Sequence, residues 1–128
     1  MVILGIDYGR SKLGVAISEG GFAEPLVVVK TVSVSQAVEK IGRIVQEEGV
    51  EKLVVGVSEG SMAEEEEQFV QKLQGELKVP VETWDETLTT QDAHELSIEA
   101  GVSRRKRRNL EDAFAAAIML QSFLDSTR

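Results

Sequence analysis

With 128 residues, 42% apolar and 28% charged, the chain is long enough for one domain with a hydrophobic core and too short for two ordinary ones. Its net charge of −8, from 22 acidic and 14 basic residues, gives an overall field that does not attract nucleic acid, so any polyanion site must be local. Cysteine is absent, which excludes disulfides, thiolate catalysis and cysteine-ligated zinc. No apolar run is long enough to span a membrane and no basic leader precedes an apolar core, so neither a membrane partner nor a secretory signal is expected, and the expected location is the cytoplasm.

The first element is a short apolar run, Val2, Ile3, Leu4 and Ile6, that stops at Asp7. Tyr8 to Lys12 follow, then a second run, Leu13 to Ile17, which together predict a strand, a tight turn and a returning strand. A carboxylate at the mouth of a buried strand is costly unless it has a partner, a metal or a task, so Asp7 is the first candidate site residue. Glu24 to Val32 predicts a third strand with Pro25 at its start, where proline is tolerated. Ser33 to Ser35 can cap a helix running to about Glu48, with Ala37, Val38, Ile41, Ile44 and Val45 on its apolar side and Gly49 as its stop. Lys52 to Val57 is nearly continuous in apolar residues, the mark of a strand covered on both faces.

Ser61 opens a second helix whose first turns hold Glu64 to Glu67, a run read as solvated and favoured by the helix dipole. Phe69, Val70, Leu73 and Leu77 form its apolar side, and Pro80 closes it. Val79 to Trp84 predicts a fifth strand that ends at Asp85 and Glu86, with Trp84 as a core residue at the strand end. A helix capped by Thr87 or Thr89 runs to about Ala100, with His94 on its surface, and a last helix covers about Leu110 to Leu124. Asn109 could cap that last helix with Asp112 three residues on, a capping-box-like pair. Three strands followed by alternating helices and strands imply one α/β domain over residues 1–128, a mixed sheet with helices on both faces.

In such a sheet the C-terminal ends of the parallel strands share one edge, where ligands gather. Asp7, the Ser58–Glu59 pair and the Asp85–Glu86 pair would sit there, and Glu111 and Asp112 of the last helix can pack across it. Carboxylates without histidine or cysteine suit hard cations such as Mg²⁺ or Mn²⁺. Two such ions about 4 Å apart would support phosphodiester cleavage without a protein nucleophile. Arg104, Arg105, Lys106, Arg107 and Arg108 supply the one local concentration of positive charge, and cations at a helix start oppose the dipole, which favours a phosphate-binding role over a solvated loop.

Five segments in order resemble the YqgF (RuvX) family of pre-16S ribosomal RNA nucleases, Holliday junction resolvase-like proteins with an RNase H-like fold. Ile6-Asp7-Tyr8-Gly9 with Gly14-Val15-Ala16 resembles the opening motif, and Glu24-Pro25-Leu26 the segment at the third strand. Val54-Val55-Gly56-Val57, Asp85-Glu86-Thr87-Leu88-Thr89-Thr90 and Asp112-Ala113-Phe114-Ala115-Ala116-Ala117-Ile118-Met119-Leu120-Gln121 resemble the remaining three. The resemblance implies a five-stranded sheet of order 3-2-1-4-5 with strand 2 antiparallel. It implies Asp7, Glu86 and Asp112 as catalytic metal ligands, with Asp7 bridging two Mg²⁺ or Mn²⁺ ions and Asp85 behind them. It also implies metal-dependent cleavage of structured RNA in maturation of the 5′ end of pre-16S rRNA, in contact with the ribosome or its precursors.

Three departures stand out. Ser11 occupies a position where the family usually has Lys, with Arg10 and Lys12 on either side; Ser58 and Glu59 replace part of a loop; Thr87 replaces an Arg suited to gripping phosphate. Glu59 is a candidate extra metal ligand, and Arg10 and Lys12 join Arg104 to Arg108 as candidate nucleic-acid contacts. Three other readings compete. A Holliday junction resolvase would use the same site on branched DNA, and a homodimer rather than a monomer would help it place two symmetric cuts. A non-catalytic RNA- or ribosome-associated module would keep the fold alone. A sugar kinase or actin-type ATPase shares the opening hairpin but needs a second lobe that 128 residues do not supply.

Overall fold

The computed structural model describes residues 1–9, 11–57, 63–85 and 104–126, with side chains in the last stretch from Leu110 onward. Within these the order is β1 (Ile3–Asp7), β2 (Lys12–Ser18), β3 (Ala23–Lys30), α1 (Val34–Glu48), β4 (Lys52–Val57), α2 (Ala63–Glu76), β5 (Val81–Asp85) and α3 (Arg104–Ser126). The strands form one five-stranded sheet in the order β3-β2-β1-β4-β5. β2 is antiparallel to β1 and β3, whereas β4 runs parallel to β1 and β5. The expected mixed sheet is therefore the observed one. The helix expected from Thr87 or Thr89 to Ala100 lies outside the described residues.

Strand alternation divides the chain into two cores. Leu4 and Ile6 of β1, Leu13 and Val15 of β2, and Leu53 and Val55 of β4 pack with Ala37, Val38 and Ile41 of α1 and Phe69, Val70 and Leu73 of α2. The opposite face carries Ile3, Ala16 and Val54, packed against Ala116, Ala117, Met119, Leu120, Phe123 and Leu124 of α3. Each large side chain buried this way contributes about 1.5–3 kcal/mol. No helix among the described residues is long and apolar enough to cross a membrane.

Local signals account for the α1 boundaries. The Ser33 side chain accepts a hydrogen bond from the Gln36 backbone N–H at 3.1 Å, and the Gln36 side chain accepts one from the Val32 N–H at 2.9 Å. Gly49 closes the helix in the left-handed conformation at φ 63°. Pro25 lies inside β3 rather than at its start. β3 is an edge strand, and the register shifts between Val15 and Ala16, so Leu26 is passed over where Pro25 supplies no donor.

Two expectations about helices change. The last helix begins at Arg104, six residues before its expected start near Leu110, so Asn109 is interior to it and not its cap. Arg and Lys are good helix formers, and Glu111 and Asp112 follow the basic run at helical spacing, which together outweigh an adverse dipole term of about 0.3–1 kcal/mol. The acidic start of α2 is not wholly solvated: Glu66 is 2% exposed, while Glu64 and Glu67 are exposed. Glu66 shares a helical stripe with Phe69, Val70 and Leu73, which turns it inward. It is not left without a partner, and no buried side-chain polar atom among the described residues is unsatisfied.

The closest approach between layers is at two glycines. A Cβ on Gly5 would lie 2.8 Å from the Cβ of Leu120, and a Cβ on Gly14 would lie 1.8 Å from the backbone oxygen of Asp112. The second contact is with backbone, which cannot rotate away. Gly14→Ala is accordingly expected to push α3 off the sheet and to cost about 3 kcal/mol or more in urea unfolding. Gly20→Ala, with nothing within 4 Å of its Cβ, is the matched control and is expected to stay within about 0.5 kcal/mol of wild type.

Candidate metal and nucleic-acid site

Asp7 is the last residue of β1, half-buried, at the edge where the parallel strands end. Its backbone is held in ladders on both sides, opposite Gly14 of β2 and Gly56 of β4. Tyr8, the next residue, turns to the other face and packs its ring on Phe69 at a centroid distance of 4.8 Å, which anchors the strand end to α2. By alternation Asp7 shares the α3 face with Ile3 and Gly5. Both of its cross-strand neighbours, Gly14 and Gly56, are glycine and carry no side chain of their own.

Asp112 reaches the same corner from α3. Its backbone carbonyl occupies the space that a side chain on Gly14 would fill, and Gly14 stands directly opposite Asp7. The two carboxylates, 105 residues apart in sequence, therefore start from neighbouring points over one strand pair. Neither is fully buried, and Asp7 is engaged in an interaction of its own.

Asp112 also has a cationic partner. Lys12, first residue of β2, places its ammonium 3.1 Å from Asp112 Oδ2, with the two side chains 53% and 37% exposed. Lys12 has the parity of Gly14 and Ala16 and so lies on the α3 face, whereas Ser11 beside it is exposed and accepts a hydrogen bond from the Thr31 N–H through its backbone oxygen. Sequence reasoning placed Lys12 among phosphate contacts and missed this pair.

The other expected residues are not brought in by the described part of the fold. Glu86, Glu59 and Arg10 lie outside the described residues, as do Ser58, Thr87 and His94. Asp85 ends β5 opposite Val57, exposed and on the α1–α2 face by alternation, so it does not stand behind Asp7. Arg104 to Arg108 form the first turns of α3, and the helical period puts positions 105 and 108 on the stripe that carries Asp112. Trp84 is half-buried against Phe123, edge to face at 5.7 Å, and donates its indole N–H to Ser122, as a core residue would.

A second set of contacts fixes the far half of α3. The Gln121 side chain accepts from the Ala23 N–H at 2.9 Å and donates to the Gly21 oxygen at 3.1 Å, clamping the β2–β3 turn. This clamp carries no chemistry, but it sets the axial position of the helix that delivers Asp112.

The donor set is all oxygen. Among the described residues no three His, Asp or Glu side chains gather closely enough to hold a metal ion, and Asp7 with Asp112 are the described members of the expected triad. Two carboxylates at a glycine-flanked strand end fit a hard divalent cation better than a soft one.

The model of the family described as "Holliday junction resolvase", RuvX, matches residues 1–126. The chain belongs to the RuvX family. A RuvX-family relative from Pelotomaculum thermopropionicum, named "Putative pre-16S rRNA nuclease", is 44% identical over 135 residues, covering 98% of this chain and 88% of its own. Another of the same name from Geobacillus kaustophilus is 41% identical over 138 residues, covering all of both chains. Among solved structures, T. thermophilus RuvC in complex with a Holliday junction substrate matches with a TM-score of 0.68 at 21% identity, covering 99% of this chain and 96% of that one. The likeness shows that this chain shares the fold of that structure.

Asp112→Asn would break an ion pair that is largely exposed and screened. It is expected to lower stability by less than about 1 kcal/mol in thermal unfolding, leaving a folded protein in which the chemistry of the carboxylate can be read separately.

Proposed function

We propose that this RuvX-family chain is a divalent-metal-dependent nuclease acting on structured RNA, in maturation of the 5′ end of pre-16S rRNA. The observation that carries this reading is the convergence of Asp7 and Asp112 at one sheet edge through the Gly14 contact. The names of the full-length relatives support the substrate. Asp7, Glu86 and Asp112 would hold the metal, with Glu59 as a further ligand. Bound Mg²⁺ or Mn²⁺, as one or two ions, would supply an activated water and neutralise charge on the phosphate.

The chain's own groups do the rest. Asp7, on a strand end laddered on both sides, and Asp112, on a helix whose backbone rests on the sheet, keep two negative charges at fixed positions. Arg10, Lys12 and Arg104 to Arg108 bind the phosphate backbone, which a protein of net charge −8 can hold only through such a local concentration. Work on rRNA precursors and ribosomes would place the protein in the cytoplasm, as a monomer or homodimer. A Holliday junction resolvase reading is favoured by the family description and by the fold, and it uses the same residues on branched DNA.

The test uses a structured pre-16S fragment and a four-way DNA junction with Mg²⁺ or Mn²⁺. Asp7→Asn is expected to lower cleavage of the RNA at least about 100-fold, since loss even of supporting groups around metal ligands costs 10–100-fold. Equal cleavage by wild type and variant would remove the catalytic role of Asp7, and faster cleavage of the junction would select the resolvase reading. Binding of RNA without cleavage by either protein would indicate a non-catalytic module. Replacing Arg104, Arg105, Arg107 and Arg108 with Ala is expected to lessen the slope of log affinity against log salt by up to about 3. An unchanged slope would reduce the run to solvated charge.

A further inference from the structure

The pair between Lys12 and Asp112 has a consequence for metal loading. Asp7 ends its strand opposite Gly14, so Lys12, two residues nearer the turn on the same face, stands beyond Asp7 at the mouth of the corner. Its ammonium is 3.1 Å from one oxygen of Asp112. A divalent cation that draws on Asp112 would meet a carboxylate already carrying a counter-ion, and the two positive charges would compete for it. Lysine is suited to give way: it is a point charge on a flexible four-carbon stem, and here it is half exposed.

The position within the hairpin decides this. A one-residue shift along a strand moves a side chain to the other face. A basic residue at position 11 would not share the face of Gly14 and Asp112; at position 12 it does. Lys12 therefore brings a positive charge onto the acidic corner.

We infer that Lys12 is the resident counter-ion of Asp112 and competes with the divalent cation for that carboxylate, so that metal binding releases the Lys12 ammonium. This rests on the proposed reading of Asp112 as a metal ligand. It makes Lys12 a positioning residue that holds Asp112 in place before the metal arrives, and it sets metal affinity below what the carboxylates alone would give.

The experiment is a Mn²⁺ titration of the full chain, following free Mn²⁺ by its paramagnetic resonance signal, with no nucleic acid and no turnover. Lys12→Met is expected to bind Mn²⁺ about two- to five-fold tighter than wild type, the range set by an exposed ion pair. Lys12→Arg keeps the charge and should stay near wild type. Lys12→Met added to Asp112→Asn should have no further effect. Lys52→Met removes a positive charge at the opposite end of the sheet, where Lys52 pairs with Glu82 at 3.0 Å, and should leave Mn²⁺ binding unchanged. If Lys12→Met binds Mn²⁺ no more tightly than wild type while Asp7→Asn abolishes binding, the counter-ion role is overturned and the metal reading stands. Equal tightening by Lys52→Met would also overturn it, by reducing the effect to net charge. If neither wild type nor Lys12→Met binds Mn²⁺ saturably, the metal reading falls and this inference with it.

Discussion

The seating of the last helix on Gly14 is the constraint on which the candidate site depends. A helix packed on a sheet ordinarily stands off by the thickness of side chains from both layers. Here the Asp112 carbonyl occupies the position of an absent Cβ, and Leu120 fills the corresponding space over Gly5. Ala113, Ala116 and Ala117 add little bulk on the helix side. The layer separation is thus set by backbone and small side chains. That is why the backbone of Asp112, late in the chain, rests on Gly14, the residue paired with Asp7.

The two faces of the sheet are built differently for the same reason. Under α1 and α2 the sheet presents Leu4, Ile6, Leu13, Val15, Leu53 and Val55, and the core is filled by volume. Under α3 it presents Ile3, Gly5, Gly14, Ala16 and Val54, and contact is made by proximity. The bulky face supplies most of the burial that stabilises the domain, leaving the other free to trade volume for approach. Tyr8 on Phe69 ties the end of β1 into the bulky core, and the Gln121 clamp on Gly21 and Ala23 holds the far half of α3. Together they hold Asp7 from behind and Asp112 along the helix axis.

Electrostatically the corner is a small exception within an acidic protein. A net charge of −8 disfavours polyanions at long range, and the basic run of Arg104 to Arg108 sits in the first turns of the same helix that carries Asp112. Cations there face an adverse dipole, which their helix propensity and their spacing from Glu111 and Asp112 outweigh. Lys12 adds a further cation, directly on an acid. Positive and negative charge are thus interleaved along one helix and one strand end, an arrangement that the proposed metal-dependent nuclease would use.

The periodicity of the chain was enough to determine the strands, α1 and α2, and the order of the sheet followed with the family resemblance. Alternating and continuous apolar runs, a Ser33 cap and a Gly49 stop are local features that act over a few residues. The place of Asp7 at the end of a buried strand was legible too, because the apolar run stops there. The start of α3 at Arg104 was not legible, since the apolar pattern used to find helices begins only at Leu110 and the earlier turns are held by propensity and charge. The inward turn of Glu66 was hidden within a run that looks uniformly solvated. The Lys12–Asp112 pair and the role of Gly14 were decided by tertiary structure alone. Both depend on how closely one helix approaches one strand, a distance set by the joint absence of side chains on residues far apart in the chain.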